Sequence, residues 1–109
     1  MNNDLRISAD SLLQEAFEVL EAKQAMYVGD GNPFKNFLTI EDVTGIPADK
    51  IVIARMVDKV YRIQNIHVHS HNRSARDSVR DALVDLINYA ILYMYYLDFR
   101  EVVRDISKR

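Results

Sequence analysis

The residues best suited to chemistry are three acids set four apart, Asp77, Asp81 and Asp85, with Asn88 following. On a helix, steps of three and four stack side chains along a single edge. Like charges one turn apart repel and Asp is a poor helix former, so this line asks for a partner. A second cluster, Arg55, Asp58, Lys59 and Arg62, mixes charges along an otherwise apolar stretch. Burying such charges without partners is costly. If the two stretches are antiparallel helices joined by a short loop, Asp58 faces Asp81 and Asp85. Three carboxylates with room for water suit Mg²⁺ or Mn²⁺, hard cations that take oxygen ligands in octahedral geometry. Arg55, Lys59 and Arg62 would then contact phosphate oxygens. The alternative is an interhelical salt-bridge ladder between the same residues.

Smaller constellations accompany these. Lys23 and Tyr27 stand one turn apart before a glycine-rich turn. They offer a cation for phosphate and an aromatic for a base, or simply a snorkelling lysine beside a rim tyrosine. Phe34 and Phe37 either plug the end of a bundle or, with Asn36, bring an aromatic and an amide to a ligand ring. With Tyr27, Asn36 and Phe37, Asn88 completes the residues expected to contact a base. His67, His69 and His71 alternate along a linker. They could hold a transition metal, but no carboxylate stands at a matching interval, and ordinary loop behaviour is expected. There is no GxGxxG, P-loop or GxSxG pattern.

Three main helices must position these groups, at about 9–26, 48–66 and 73–97. The first, with residues 1–7 frayed ahead of it, takes Ser8 or Ser11 as N-cap and buries Leu13, Ala16, Phe17 and Leu20. The turn through Gly29, Asp30, Gly31 and Pro33 ends it. Residues 34–40 show no clear periodicity, and Glu41 to Thr44 form at most one helical turn. The second helix is apolar nearly all round, which predicts a central element packed on several sides. The third carries Val79, Ala82, Leu83, Leu86, Ala90, Tyr93 and Leu97 on one side. It either runs on towards Ser107 or bends near Asp98 into a short fourth helix. Tyr89, Tyr93, Tyr95 and Tyr96 with Met94 offer more aromatic surface than one bundle face needs. They suit a homo-oligomer interface or, equally, a wide core face. The expected architecture is a small all-α helical bundle forming a single domain over 1–109.

Composition sets the outer limits. The 109 residues contain no cysteine, which excludes zinc-finger, iron–sulfur, thiol-nucleophile and disulfide-framework chemistry. A net charge of −2 gives no basic footprint for long nucleic acid, while free nucleotides stay in play. Asp4 and Arg6 argue against a signal peptide, and no apolar run is long enough to span a bilayer. A cytoplasmic protein without membrane partners is expected.

Taken in order, Lys23, Tyr27, Gly29-Asp30 and Asn36-Phe37, then Arg55, Asp58-Lys59 and Arg62, then Asp77-Ser78, Asp81, Asp85 and Asn88-Tyr89-Ala90 resemble the nucleotide modification associated domain family of phages and prophages. That family in turn looks like a distant relative of MazG-like all-α nucleoside triphosphate pyrophosphohydrolases. The more distant relation implies an ExxE motif on one helix and an acidic motif on the next, together binding Mg²⁺ at a nucleotide's phosphates. Asp85 matches the last acid, Asp81 stands one turn earlier, and Asp58 matches one acid of the first motif. Position 55, where another acid belongs, is arginine, and Glu15 or Glu18 would have to supply the missing ligand. The implied function is that of a Mg²⁺-dependent nucleotide-binding protein of the all-α pyrophosphohydrolase type, acting on nucleoside triphosphates or modified deoxynucleotides, in whose enzymatic form Asp58, Asp81 and Asp85 are the catalytic, metal-binding acids. Two alternatives are a non-catalytic nucleotide binder using the same pocket and an oligomeric scaffold whose charge ladder is purely structural.

Overall fold

The computed structural model describes residues 1–27 and 33–107, apart from the side chains of Met26, Tyr27, His67 and residues 102–107. The turn at Gly29, Asp30 and Gly31 and the side chain of Tyr27 therefore lie outside the described residues. Four helices and no strand are found among the described residues: α1 (Asn3–Tyr27), α2 (Lys35–Thr44), α3 (Ala48–His69) and α4 (Arg73–Ser107). The all-α expectation holds, and three main helices understate the four present.

Helix α1 begins at Asn3 rather than near Ala9 because Asn2 caps it, its side-chain oxygen accepting the Leu5 N–H at 2.7 Å. Neither Ser8 nor Ser11 is the cap; Ser11 Oγ instead accepts a hydrogen bond from Arg80.

Helix α2 forms where no periodicity was expected beyond a last turn. Ten residues make a marginal helix in isolation, so its stability comes from packing. Phe34, Phe37 and Leu38 share one face and dock it on α3 and α4. Its end is well defined. Gly45 takes φ 77°, and its N–H donates to the Glu41 carbonyl at 2.8 Å.

The same Glu41 starts the next helix. Pro47, at the N-cap of α3, contributes no side-chain hydrogen bond, and Glu41 Oε1 accepts the Ala48 N–H at 2.8 Å from across the turn. Helix α3 then runs through His69, beyond the expected end at Ile66, and stops only at Ser70. The alternating histidines thus belong partly to a helix and not to an extended linker. Asn72 caps α4 through the Ala75 N–H at 2.8 Å. Helix α4 reaches Ser107 but bends at Phe99 (φ −128°, ψ 22°), combining the two courses open to it.

The core joins α2, α3 and α4 through Phe34, Leu38, Ala48, Val52 and Tyr96. Phe34 is fully buried, stacked on Tyr96 at 4.7 Å and tilted against Phe37 at 5.0 Å. The tyrosines serve as a wide core face: Tyr89, Tyr93 and Tyr95 pack against this cluster. Helix α1 packs on α4 alone, leaving Leu13 and Phe17 about half exposed while Ala16 is buried. Helix α3 is correspondingly less enclosed than its composition suggested. It meets α2 and α4 but not α1, so Ile53, Val57, Val60 and Tyr61 remain exposed.

Two substitutions test this account. Phe34→Ala removes the keystone of the α2 face and is expected to cost about 3–5 kcal/mol in chemical denaturation. Gly45→Ala meets no neighbouring atom and strains only the left-handed φ, so a loss of roughly 1 kcal/mol is expected.

Candidate functional site

Among the described residues α1 and α3 each pack along α4 and not along each other, so α4 forms a floor between two walls. Asp85 sits on that floor, about one-fifth exposed. Lys59 of α3 approaches one carboxylate oxygen at 3.0 Å, and Lys23 of α1 approaches the other at 3.4 Å. Two cations from separate helices thus converge on one anion, leaving a local excess of one positive charge.

Beside this bridge lies a cleft of about 240 Å³ bordered by Lys23, Asn36, Phe37, Asp85, Asn88 and Tyr89. Leu20, Gln24, Pro33 and Leu92 complete it. Phe37 and Tyr89 meet edge to face at 6.4 Å and give the cleft an aromatic wall. Asn88 is its most informative member. The residue is only 5 % exposed, and neither its Oδ1 nor its Nδ2 has a hydrogen-bond partner among the described residues. Buried amides are ordinarily satisfied, and leaving one unpaired costs about 1–3 kcal/mol. Among the described residues the cleft thus combines a buried, unpaired amide with one lysine, Lys23, and with Asp85, whose other oxygen meets Lys59.

Lys23, Lys59, Asn36, Phe37, Asp85 and Asn88 are therefore gathered as the sequence anticipated, although Lys23 joins Asp85 rather than acting only with Tyr27. Arg55, Asp58, Arg62 and Asp81 are not. All four are exposed, and none makes an ion pair among the described residues. Of the expected interhelical ladder, only the Lys59–Asp85 rung forms. Asp77 touches only its neighbour Arg76, at 3.9 Å on an exposed surface.

The acidic set also fails as a metal site. No group of three His, Asp or Glu side chains among the described residues is placed to hold an ion. Asp85 already has a lysine on each oxygen, and Glu15 is held elsewhere by Arg80 Nε at 3.2–3.3 Å. These residues as arranged do not fit a resident Mg²⁺ or Mn²⁺. His69 and His71 likewise belong to no such group.

Gln24 and Leu92 were missed by sequence reasoning, and Leu20 was read only as core. Their spacing on α1 and α4 carries no chemical signal, so only the docking of the helices reveals them. A larger groove of about 490 Å³, between Leu13 and Phe17 of α1 and Ile87 and Ile91 of α4, is mostly apolar, with Asp10 and Gln14 as its polar residues and no cation in its lining. No helix among the described residues is long and apolar enough to cross a membrane.

Comparison with known proteins agrees with the resemblance read from the residues. The family model of nucleotide modification associated domain 1 matches residues 49–97. The match takes in Asp85, Asn88 and Tyr89 of the cleft, and Lys59 of α3, which pairs with Asp85. No curated protein and no solved structure matches the chain.

The unpaired amide yields a direct stability test. Asn88→Leu keeps the heavy-atom count and branching of the side chain and removes two unsatisfied groups, so a gain of about 1–2 kcal/mol is expected by chemical denaturation. A clear loss of stability would show that the amide is satisfied by interactions inside the fold.

Proposed function

We propose that this chain binds a free nucleotide in the cleft between α1, α2 and α4, without a resident metal. Lys23 and Lys59 take the phosphate. The base lies along Phe37 and Tyr89 and exchanges hydrogen bonds with the Asn88 amide, with Asn36 at the rim. The observation that carries this reading is the buried Asn88 side chain, without a hydrogen-bond partner among the described residues, in the same cleft as Lys23 and as the Asp85 carboxylate that Lys59 also holds. A carboxamide presents one acceptor and two donors close together, the arrangement that pairs with the polar edge of a nucleobase. The family match, whose description concerns nucleotide modification, points to the same class of ligand.

The donor set favours binding over hydrolysis. A metal-activated water needs a cation with open positions, and the three acids that would hold it are dispersed or already paired. Exposed Arg55 stands where the resemblance asks for an acid. Lysines supply phosphate binding directly through charge-assisted hydrogen bonds, with no ion between. The near-neutral chain lacks the charged stripe that tracks a polymer, which suits a single nucleotide.

A thermal-shift screen of ribo- and deoxynucleotides in EDTA tests this. A ligand at a hundred times its dissociation constant should add about 2.7 kcal/mol, a shift of several degrees. Lys23→Ala should weaken binding by roughly tenfold, the loss of one charge-assisted hydrogen bond. Stabilisation only when Mg²⁺ is present would contradict the metal-free reading, and none with any nucleotide would remove it.

A further inference from the structure

The bridge formed by Lys23, Asp85 and Lys59 has a consequence for how the cleft takes its ligand. The two carboxylate oxygens of Asp85 each face a different lysine, at 3.4 and 3.0 Å. A terminal phosphate offers two oxygens of similar spacing and a larger charge. Asp85 also borders the same cleft as the unpaired Asn88 amide, so a nucleotide seated on Asn88 brings its phosphate towards this bridge.

We propose that Asp85 is an internal anion occupying the phosphate position, and that the ligand's phosphate displaces it from Lys23 and Lys59. This inference rests on the nucleotide-binding reading above and assigns Asp85 the opposite role from a metal ligand. The electrostatics follow from the arrangement. In the free chain Asp85 neutralises one of the two lysines and keeps both oriented into the site. A carboxylate a few ångströms from an incoming phosphate repels it, so the ligand must carry enough charge to take over both cations. A singly charged organic anion gains little over Asp85 itself, whereas a terminal phosphate or a polyphosphate chain gains more. The bridge therefore acts as a charge threshold. It favours nucleoside di- and triphosphates over nucleosides and over small carboxylates of the cell.

Lys23 is better able to follow the ligand than Lys59. Its side chain is 50 % exposed against 22 %, and its contact with Asp85 is the longer of the two. Opening of the bridge is accordingly expected on the α1 side, with Lys59 continuing to hold one oxygen of Asp85 until the phosphate is seated.

The test is calorimetric titration in EDTA of the full chain and its Asp85→Asn form with tripolyphosphate and with a nucleoside triphosphate. Asp85→Asn should bind both more tightly, by roughly tenfold. Its affinity should also fall more steeply with salt, because two uncompensated lysines then meet the phosphate. Asp85→Ser removes the charge with a smaller side chain and should change affinity in the same direction. Asn88→Leu separates the two ideas: it should lose the nucleotide's advantage over tripolyphosphate while leaving tripolyphosphate binding intact. Weaker binding by both Asp85 variants, with the unaltered chain still binding nucleotide, would overturn the internal-anion role and leave nucleotide binding standing. Failure of every form to bind either probe would overturn both.

Discussion

Helix α4 is the common support of the fold, and its rotation about its own axis is the constraint on which the rest depends. Each of the other helices packs against it, and among the described residues α1 packs on no other helix. Ala82 and Tyr96 are buried on one side of α4 and Val84 on another, and together they fix where Asp85 and Asn88 emerge. A helix turns about 100° per residue, so a slip of one position would carry both away from the walls. The aromatic stack of Phe34 on Tyr96 prevents such a slip by locking α4 to the start of α2. The same contact brings Asn36 and Phe37 to the mouth of the cleft. Packing and site geometry are one problem solved by one set of residues.

Cost is concentrated in two places. An asparagine amide is buried without a partner, and a carboxylate is held between lysines that must reach it from different helices. Neither is an efficient way to stabilise a helical chain: a leucine would fill the first position better, and partly exposed ion pairs contribute little. Local inconsistencies of this kind are expected where a fold serves a ligand rather than itself. By contrast the Arg80, Glu15 and Ser11 contacts connect α1 to α4 with every partner supplied by the chain. They show what a purely structural polar cluster looks like in this molecule.

Much of the architecture was legible because it is written locally. The start of α3 at Ala48 follows from the turn residues ahead of it, whereas the bend at Phe99 is one of two courses that the sequence leaves open. Asp85 and Asn88 stood out because their interval places them on one edge of a strongly periodic helix. Helix α2 was not legible, since ten residues without a strong repeat become helical only when Phe34 and Leu38 are buried by other elements. The partnership of Lys23 with Asp85 was equally hidden, as 62 residues separate them and no sequence pattern reports how α1 is rotated. The same gap explains Asp58 and Asp81. Both edges were assigned to the correct helices, but the edges do not face one another along their length, and only Lys59 crosses.

The central claim is that the unpaired amide of Asn88 is where a nucleotide is recognised. The most direct measurement is the side-chain amide resonance pair of Asn88 in the ¹⁵N-labelled chain, followed by NMR as a nucleotide is added in EDTA. Large, saturable shifts of that pair, together with those of the Phe37 and Tyr89 backbone amides, are the predicted result. An Asn88 pair that stays in place while nucleotide binding saturates elsewhere on the chain would contradict the account.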